Sequence, residues 1–168
     1  MNQFYDVLYR LKFITRYSNM PRVRDESVAE HSFFVAAIVM RLHGDYTFDL
    51  GVALQCAISH DVAEVFIDDI NHEIKRDFPD VANALKAAER TVMNNFPNPF
   101  QQGAFIYNSS TTEGTIVHLA DVIQCLQYAK TEISLGNQGY MLKVEEESTR
   151  RIKELEEKLR HVRRQENS

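Results

Sequence analysis

The chain has 168 residues, of which 44% are hydrophobic and 26% charged, and its formal net charge is −5. This is the size and composition of one soluble domain. Six Gly and four Pro argue against an all-β fold, whose tight turns use more of both. The acidic balance predicts no nucleic-acid partner, because a nucleic-acid binder usually has a basic excess. We predict neither a signal peptide nor a membrane span, and therefore a cytoplasmic protein.

Apolar residues recur at helical spacing along nearly the whole chain, which predicts an all-α fold and a single domain over 1–168. In chain order, we predict helices over 3–17, 27–43, 48–65, 79–93, 112–135 and 139–163. The second helix begins with a capping box formed by Ser27 and Glu30. Segment 96–110 contains two Pro and a Gly, and we predict that it is a flap or mobile loop.

The predicted C-terminal helix over 139–163 is amphipathic and carries a coiled-coil-like seam. The seam consists of Met141, Val144, Ser148, Ile152, Leu155, Leu159 and Val162. Packing of this helix on its own domain would explain the seam, and so would a contact between subunits. We favour the first interpretation and keep the second.

Four residues that are costly to bury predict a metal site. His60 and Asp61 are adjacent, and an imidazole and a carboxylate that reach one point suit a divalent cation. His31 lies on an apolar stripe, where a histidine is more often a core residue than a ligand. Asp121 lies mid-helix among apolar residues, where a carboxylate is unfavourable unless a cation compensates it. Because one metal ion would account for all four residues, we predict one divalent cation among them.

The order of these motifs resembles the H…HD…D signature of HD-domain phosphohydrolases, and more narrowly the bacterial and phage 5′-deoxynucleotidase branch. The resemblance covers 13–136 and rests on Ala29-Glu30-His31-Ser32, His60-Asp61-x-x-Glu64, Asp69-Ile70 and Leu119-Ala120-Asp121, with Arg16, Arg24 and Lys75 nearby. It implies an HD-type bundle of about five to seven helices. It also implies that His31, His60, Asp61 and Asp121 bind Co²⁺, Mn²⁺ or Zn²⁺.

The same resemblance implies roles for six further residues. Glu64 and Asp69 become the catalytic pair, although from the residues alone Glu64 could be a solvated helix residue and Asp69 a turn former. Arg16 and Lys75 become phosphate contacts. Tyr17 stands where close relatives carry Trp beside the sugar or base. His118 stands where relatives often carry Lys, and it could contact phosphate or support the site.

Three functions follow from these expectations. The first is hydrolysis of a deoxynucleoside 5′-monophosphate to deoxynucleoside and phosphate. The second is release of triphosphate from a dNTP, as in phage dATPases, for which Arg22, Arg24 and Lys75 could supply charge and an additional Mg²⁺ could bind. The third is a non-catalytic, regulatory module that binds metal or nucleotide. In each case the partner is a small deoxynucleotide, and we expect a homo-oligomer, a dimer or higher.

Overall fold

The computed structural model describes residues 3–70 and 72–166, together with the side chains of all of these except 3, 72 and 161–166. Within these residues there are nine α-helices and no β-strand, which confirms the all-α prediction. They are α1 (Gln3–Arg10), α2 (Val28–Leu42), α3 (Leu50–Ser59), α4 (Glu64–Ile67), α5 (His72–Asp77), α6 (Pro79–Met93), α7 (Phe100–Tyr107), α8 (Thr112–Ser134) and α9 (Gly139–Glu166). Seven of them have eight or more residues, and α4 and α5 are shorter.

Helix α8 is the central element, and α2, α3, α7 and α9 all contact it. The Thr111 side chain caps its start by accepting from the Gly114 N–H, and Gly136, with a φ of 98°, follows its end as predicted. Fully buried side chains of α2, α3 and α8 form the main core, among them Val35, Val39, Cys56, Ile116 and Val117. Because α8 is central, a polar residue at its middle lies inside the protein.

The seam of α9 packs on the domain's own core. Met141, Ser148, Leu155 and Leu159 are buried, and the two leucines join the main core cluster. The favoured interpretation of the seam is therefore confirmed. Val162, the last residue of the predicted seam, lies outside the described side chains.

The first helix is shorter than predicted. Helix α1 ends at Arg10, a 3₁₀ turn follows over Leu11–Phe13, and the chain becomes extended at Ile14. The backbone then pairs across the following loop through an isolated bridge between Thr15 and Ser27. The predicted helix over 3–17 is wrong beyond Arg10, because these long-range backbone bonds replace helical ones.

The predicted third helix over 48–65 is also divided. Helix α3 ends at Ser59, and bonds such as Glu64 N–H to Asp61 C=O form a tighter turn before α4. The Ala57 carbonyl, which a continuous helix would pair with the Asp61 N–H, instead accepts from His60 Nδ1 at 2.8 Å. The break in the helix therefore depends on a side chain of the predicted site.

Segment 96–110 contains helix α7, so the prediction of a flap or mobile loop is wrong. Helix α7 packs closely on α3. A side chain at Gly103 would overlap the Gln55 carbonyl and the Ser59 hydroxyl, so only glycine permits this approach. Sequence reasoning took this glycine as a sign of irregular structure, whereas it is a packing contact.

One described segment, Leu50–Ile67, is long and apolar enough to cross a membrane by length and composition alone. One such segment is weak evidence for a membrane span. Core helices of soluble proteins meet the same criteria, and 44% of this segment is buried inside the protein. The segment also contains His60, Asp61 and Glu64, and it is divided between α3 and α4.

Candidate active site

Four side chains from three parts of the fold converge on one point. His31 lies in the first turn of α2, His60 and Asp61 in the turn after α3, and Asp121 in the middle of α8. His31 Nε2 lies 3.3 Å from His60 Nε2, 3.4 Å from Asp61 Oδ2 and 3.3 Å from Asp121 Oδ1. His60 Nε2 lies 3.1 Å from Asp61 Oδ2. We call these four residues the cage.

His31, His60 and Asp121 each offer one ligand atom, and these atoms lie within 4.8 Å of one another, close enough to hold a metal ion. Asp61, the fourth predicted ligand, contacts both histidines. Donors that each lie about 2.0–2.2 Å from one ion are roughly 3.0–3.5 Å from their neighbours, and the cage distances lie in this range. Two imidazole nitrogens with two carboxylate oxygens suit Mn²⁺, Co²⁺ or Zn²⁺. His60 donates its Nδ1 proton to the Ala57 carbonyl, so Nε2 is the ring nitrogen that faces the cage.

The charges inside the cage perturb one another strongly. Burial alone would raise the pKa of Asp61, but His60 and His31 outweigh it and lower the pKa to about 2. Burial would also raise the pKa of Asp121, but the same two histidines outweigh it and hold this pKa far below its usual range. The pKa of His60 rises to about 8 because the two carboxylates outweigh the effect of burial. The cage therefore stabilises carboxylates in their charged form, the form that binds a cation.

Glu64 and Asp69 lie beside the cage. Glu64 begins α4 and is buried, and its Oε2 has no hydrogen-bond partner among the described residues. Burial, followed by the charges of Asp61 and Asp69, raises the pKa of Glu64 well above 4.5. Asp69 follows α4, and its Oδ2 accepts from the Tyr17 N–H at 3.1 Å. Glu64 is thus a buried carboxyl group with capacity to exchange a proton.

Arg16 and Tyr17 lie next to the cage, but their side chains contact other residues of the protein. Arg16 Nη1 donates to Glu26 Oε2 at 3.0 Å and to Gln124 Oε1 at 2.9 Å. Tyr17 has a left-handed backbone with a φ of 54°, and its ring stacks on Tyr128 with centroids 5.3 Å apart. Both residues face the same cavity as the cage.

Lys75 and His118 both line this cavity. Lys75 is half-buried in α5, and its charge offsets part of the rise that burial causes in the pKa values of Glu64 and Glu89. His118 lies one turn before Asp121, and its ring contacts Tyr107 with centroids 4.0 Å apart. Burial lowers the pKa of His118, which favours the neutral ring.

The cavity has a volume of about 870 Å³, large enough for a nucleotide. Nine of the ten residues predicted for the site line it, and His31, the tenth, is fully buried. Helices α5, α6 and α9 also line the cavity, with Lys86, Glu89, Tyr140, Val144 and Arg151 among their side chains. We call this part of the lining the outer wall.

Sequence reasoning missed three residues of the site. The Tyr107 hydroxyl donates to Asp121 Oδ2 at 2.6 Å, but Tyr107 belongs to the helix that was taken for a loop. Gln124 accepts from Arg16 and contacts His31, and Glu26 pairs with Arg16. Gln124 could have been found, because it is a polar residue mid-helix among apolar ones, as Asp121 is. Nothing local distinguishes Glu26 from its polar loop.

The fold belongs to a known class. The structure of an HD-domain phosphohydrolase from Listeria innocua superposes with a TM-score of 0.72 at 23% sequence identity, covering 94% of this chain and 82% of the other. The chain therefore has the HD-domain fold.

The sequence comparisons identify a family within this fold class. The family model of 5′-deoxynucleotidase YfbR-like proteins matches residues 3–164, so the chain belongs to this family. A 5′-deoxynucleotidase of Vibrio vulnificus is 31% identical over 156 residues, which cover 84% of this chain and 80% of the relative. A dATP triphosphohydrolase of Salmonella phage PMBT28 is 30% identical over 131 residues, which cover 72% of this chain and 63% of the relative.

Proposed function

We propose that the chain hydrolyses 2′-deoxynucleoside 5′-monophosphates to deoxynucleoside and inorganic phosphate, with one divalent cation bound by the cage. The observation that carries this proposal is the convergence of four donor atoms within 3.1–3.4 Å of their neighbours beside a buried, unpartnered carboxyl group. Membership of the 5′-deoxynucleotidase YfbR-like family supports the substrate class.

The cation proposed for the cage is Mn²⁺, Co²⁺ or Zn²⁺. When bound, such a cation lowers the pKa of water and neutralises charge on phosphoryl oxygens. His31 and His60 would bind it through Nε2, and Asp61 and Asp121 through one carboxylate oxygen each. The depressed pKa values of both aspartates support this assignment, since each keeps its charge at neutral pH.

Glu64 and Asp69 would move the protons of the reaction. A water oxygen forms a bond to phosphorus while the bond from phosphorus to the 5′ oxygen breaks. Glu64 would accept the proton that the water loses, and Asp69 would donate one to the leaving 5′ oxygen. The raised pKa of Glu64 supports its role, because a carboxyl group with a pKa nearer neutral is a better base and acid catalyst.

The remaining cavity residues would hold the phosphate and the sugar. Lys75, with Arg16 behind it, would supply positive charge for the phosphate, and His118 would contact it or support Asp121. Tyr17, Tyr140 and Val144 pack in one hydrophobic cluster and offer an apolar surface to the sugar. A 2′-hydroxyl against such a surface would lose its hydrogen bonds to water, which favours deoxyribose.

The positions of the cations favour a monophosphate over a triphosphate. Two of the three cations expected to hold a triphosphate, Arg22 and Arg24, are not among the described residues that line the cavity. Arg22 instead pairs with Asp25 and donates to loop carbonyls. Arg150 and Arg151 do line the cavity, but both pair with Glu154.

Hydrolysis of a dNTP, with an additional Mg²⁺ on the triphosphate, is the second candidate function, because one relative is a phage dATP triphosphohydrolase. A non-catalytic module that only binds metal or nucleotide is the third. The buried Glu64 speaks against it, because an unpartnered carboxyl group is costly in a site without turnover.

A product assay separates the three candidates. The purified chain would be incubated with dAMP, AMP and dATP in the presence of Mn²⁺, Co²⁺ or Zn²⁺, with Asp121→Asn as the inactive control. Phosphate released from dAMP is the expected result. Triphosphate released from dATP alone would favour the second candidate, and no product from any substrate would favour the third.

Two further expectations stay predictions. We propose a homo-oligomer, a dimer or higher, supported by the exposure of Phe33, Phe34 and Met40 on α2, which are 68%, 51% and 61% exposed. Light scattering of the full chain measures its mass directly. A cytoplasmic location and the boundaries of a single domain over 1–168 also stay predictions.

A further inference from the structure

Gln124 lies at the centre of a buried hydrogen-bond network behind the cage. It is 4% exposed and stands one turn after Asp121 on α8. Its amide Nε2 donates to Glu26 Oε1, and its Oε1 accepts from Arg16 Nη1 at 2.9 Å. The salt bridge between Arg16 and Glu26 at 3.0 Å closes the network. A carboxylate on one side and a guanidinium on the other fix which way the amide points.

The third partner of this amide is a cage residue. Gln124 Oε1 lies 2.7 Å from His31 Nδ1, and an oxygen that accepts there requires a proton on Nδ1. Arg16 Nη1 also lies 2.8 Å from Nδ1. However, Nη1 carries two hydrogens, and Glu26 and Gln124 use both. His31 Nδ1 is therefore the donor, and Gln124 is its acceptor.

The geometry points to Gln124 as the positioning residue that anchors His31 through its Nδ1–H, so that Nε2 is the ring nitrogen directed into the cage. His60 is held in the same way by the Ala57 carbonyl, so both imidazoles are oriented in advance. A metal-bound histidine commonly donates its other N–H to such an acceptor. This inference rests on the proposed function, because it concerns the same metal site.

The first test is titration of the metal-free full chain with Mn²⁺ alone. Gln124→Met keeps the length of the side chain and removes both hydrogen-bonding groups. We expect it to weaken Mn²⁺ binding about 10- to 100-fold. Gln127→Met, at an exposed position on the same helix, is the matched control and should leave the Kd unchanged. Gln124→Glu keeps an acceptor for His31 Nδ1, so its Kd for Mn²⁺ should lie between those of Gln124→Met and Gln127→Met.

The second test needs no variant that might fail to fold. Histidine-selective ¹⁵N NMR of the metal-free wild-type chain at mildly alkaline pH reports which ring nitrogen carries the proton, and the His31 signals are those that disappear in His31→Asn. A proton on His31 Nδ1 is expected.

A His31 Nδ1 that carries no proton, or an unchanged Mn²⁺ Kd in folded Gln124→Met, would overturn the role of Gln124. Neither measurement uses a nucleotide. A wild-type chain that binds Mn²⁺ as expected but releases no phosphate would instead overturn the proposed function and leave the role of Gln124 intact.

Discussion

The cage and the outer wall differ in how firmly their side chains are held. Each imidazole of the cage has a partner for its Nδ1, and Asp121 accepts from the Tyr107 hydroxyl on its second oxygen. On the outer wall, Lys86 is exposed, and the Arg151 side chain is 52% exposed. Preorganised donors cost little reorganisation at the moment of reaction. The difference indicates that the residues proposed to bind the cation are preorganised, whereas two side chains of the outer wall are largely exposed to solvent.

The largest expected effect concerns Leu155 on α9, the helix that supplies part of the outer wall. It tests whether α9 packs on the domain's own core. Leu155 is 4% exposed, and Leu155→Glu would bury a carboxylate there. We expect the free energy of unfolding to fall by about 4 kcal/mol or more. Thermal unfolding followed by circular dichroism measures this. Leu142→Glu, on the same helix but 48% exposed, is the control. A Leu155→Glu chain that folds normally but loses mass in light scattering would make the seam a subunit contact instead.

The next effect concerns the chemistry on the cage side. Glu64→Gln should keep the bound cation but lower kcat by about 10²-fold or more, because the amide cannot accept the proton of the attacking water. Steady-state kinetics at saturating metal, with elemental analysis of the same sample, measures both quantities. Glu146→Gln, exposed on α9, should leave kcat unchanged. Near-normal kcat in metal-loaded Glu64→Gln would remove Glu64 from the mechanism.

A smaller effect concerns the loop that joins Arg16 and Tyr17 to α2. Glu132 is fully buried and accepts from the backbone N–H groups of Val23 and Arg24 at 2.7 and 2.8 Å. Glu132→Gln should lower the free energy of unfolding by about 2 kcal/mol at neutral pH, because hydrogen bonds to a charged acceptor are lost.

This effect should depend on pH. Burial would raise the pKa of Glu132, but hydrogen bonds from the Asn137 side chain and from the Val23 and Arg24 N–H groups outweigh burial and hold the pKa below 4.5. A carboxyl group whose folded pKa is lowered stabilises the protein above its unfolded pKa, and the stabilisation is lost as the pH falls through the folded pKa. The difference between wild type and Glu132→Gln in denaturant unfolding should therefore shrink below about pH 4.5. A difference that is constant down to pH 3 would contradict this.

The smallest effect concerns the sugar. We expect kcat/KM for dAMP to exceed that for AMP by at least roughly tenfold, or about 1.4 kcal/mol. Tyr17→Ala should reduce this ratio, because the ring supplies shape rather than charge, whereas Arg16→Ala should weaken both substrates together. Equal kcat/KM values for dAMP and AMP in the wild type would defeat the deoxynucleotide assignment and leave the phosphohydrolase assignment standing.

The parts of the site that could be predicted are those with a local energetic signal. Asp121 stood out because a carboxylate amid an apolar helix needs a compensating charge, and the helical periodicity of α2 and α8 placed His31 and Asp121 on elements that pack together. Tyr107 carries no such signal, and Gln124 carries the same signal as Asp121 but its partners could not be predicted. Their roles depend on contacts between α7, α8 and α2, and the close approach that Gly103 permits is visible only once α3 and α7 are packed.

Metal content measures the central claim most directly. Elemental analysis would compare the metal content of the wild-type chain, His60→Ala and Asp121→Ala, with Glu146→Gln as the control. Each protein would first be loaded with excess Mn²⁺ and then desalted. The cage predicts close to one cation per chain in the wild type and the control, and almost none in the two cage variants, with phosphate release lost in parallel. Full metal content in folded His60→Ala and Asp121→Ala would contradict the assignment of the cage.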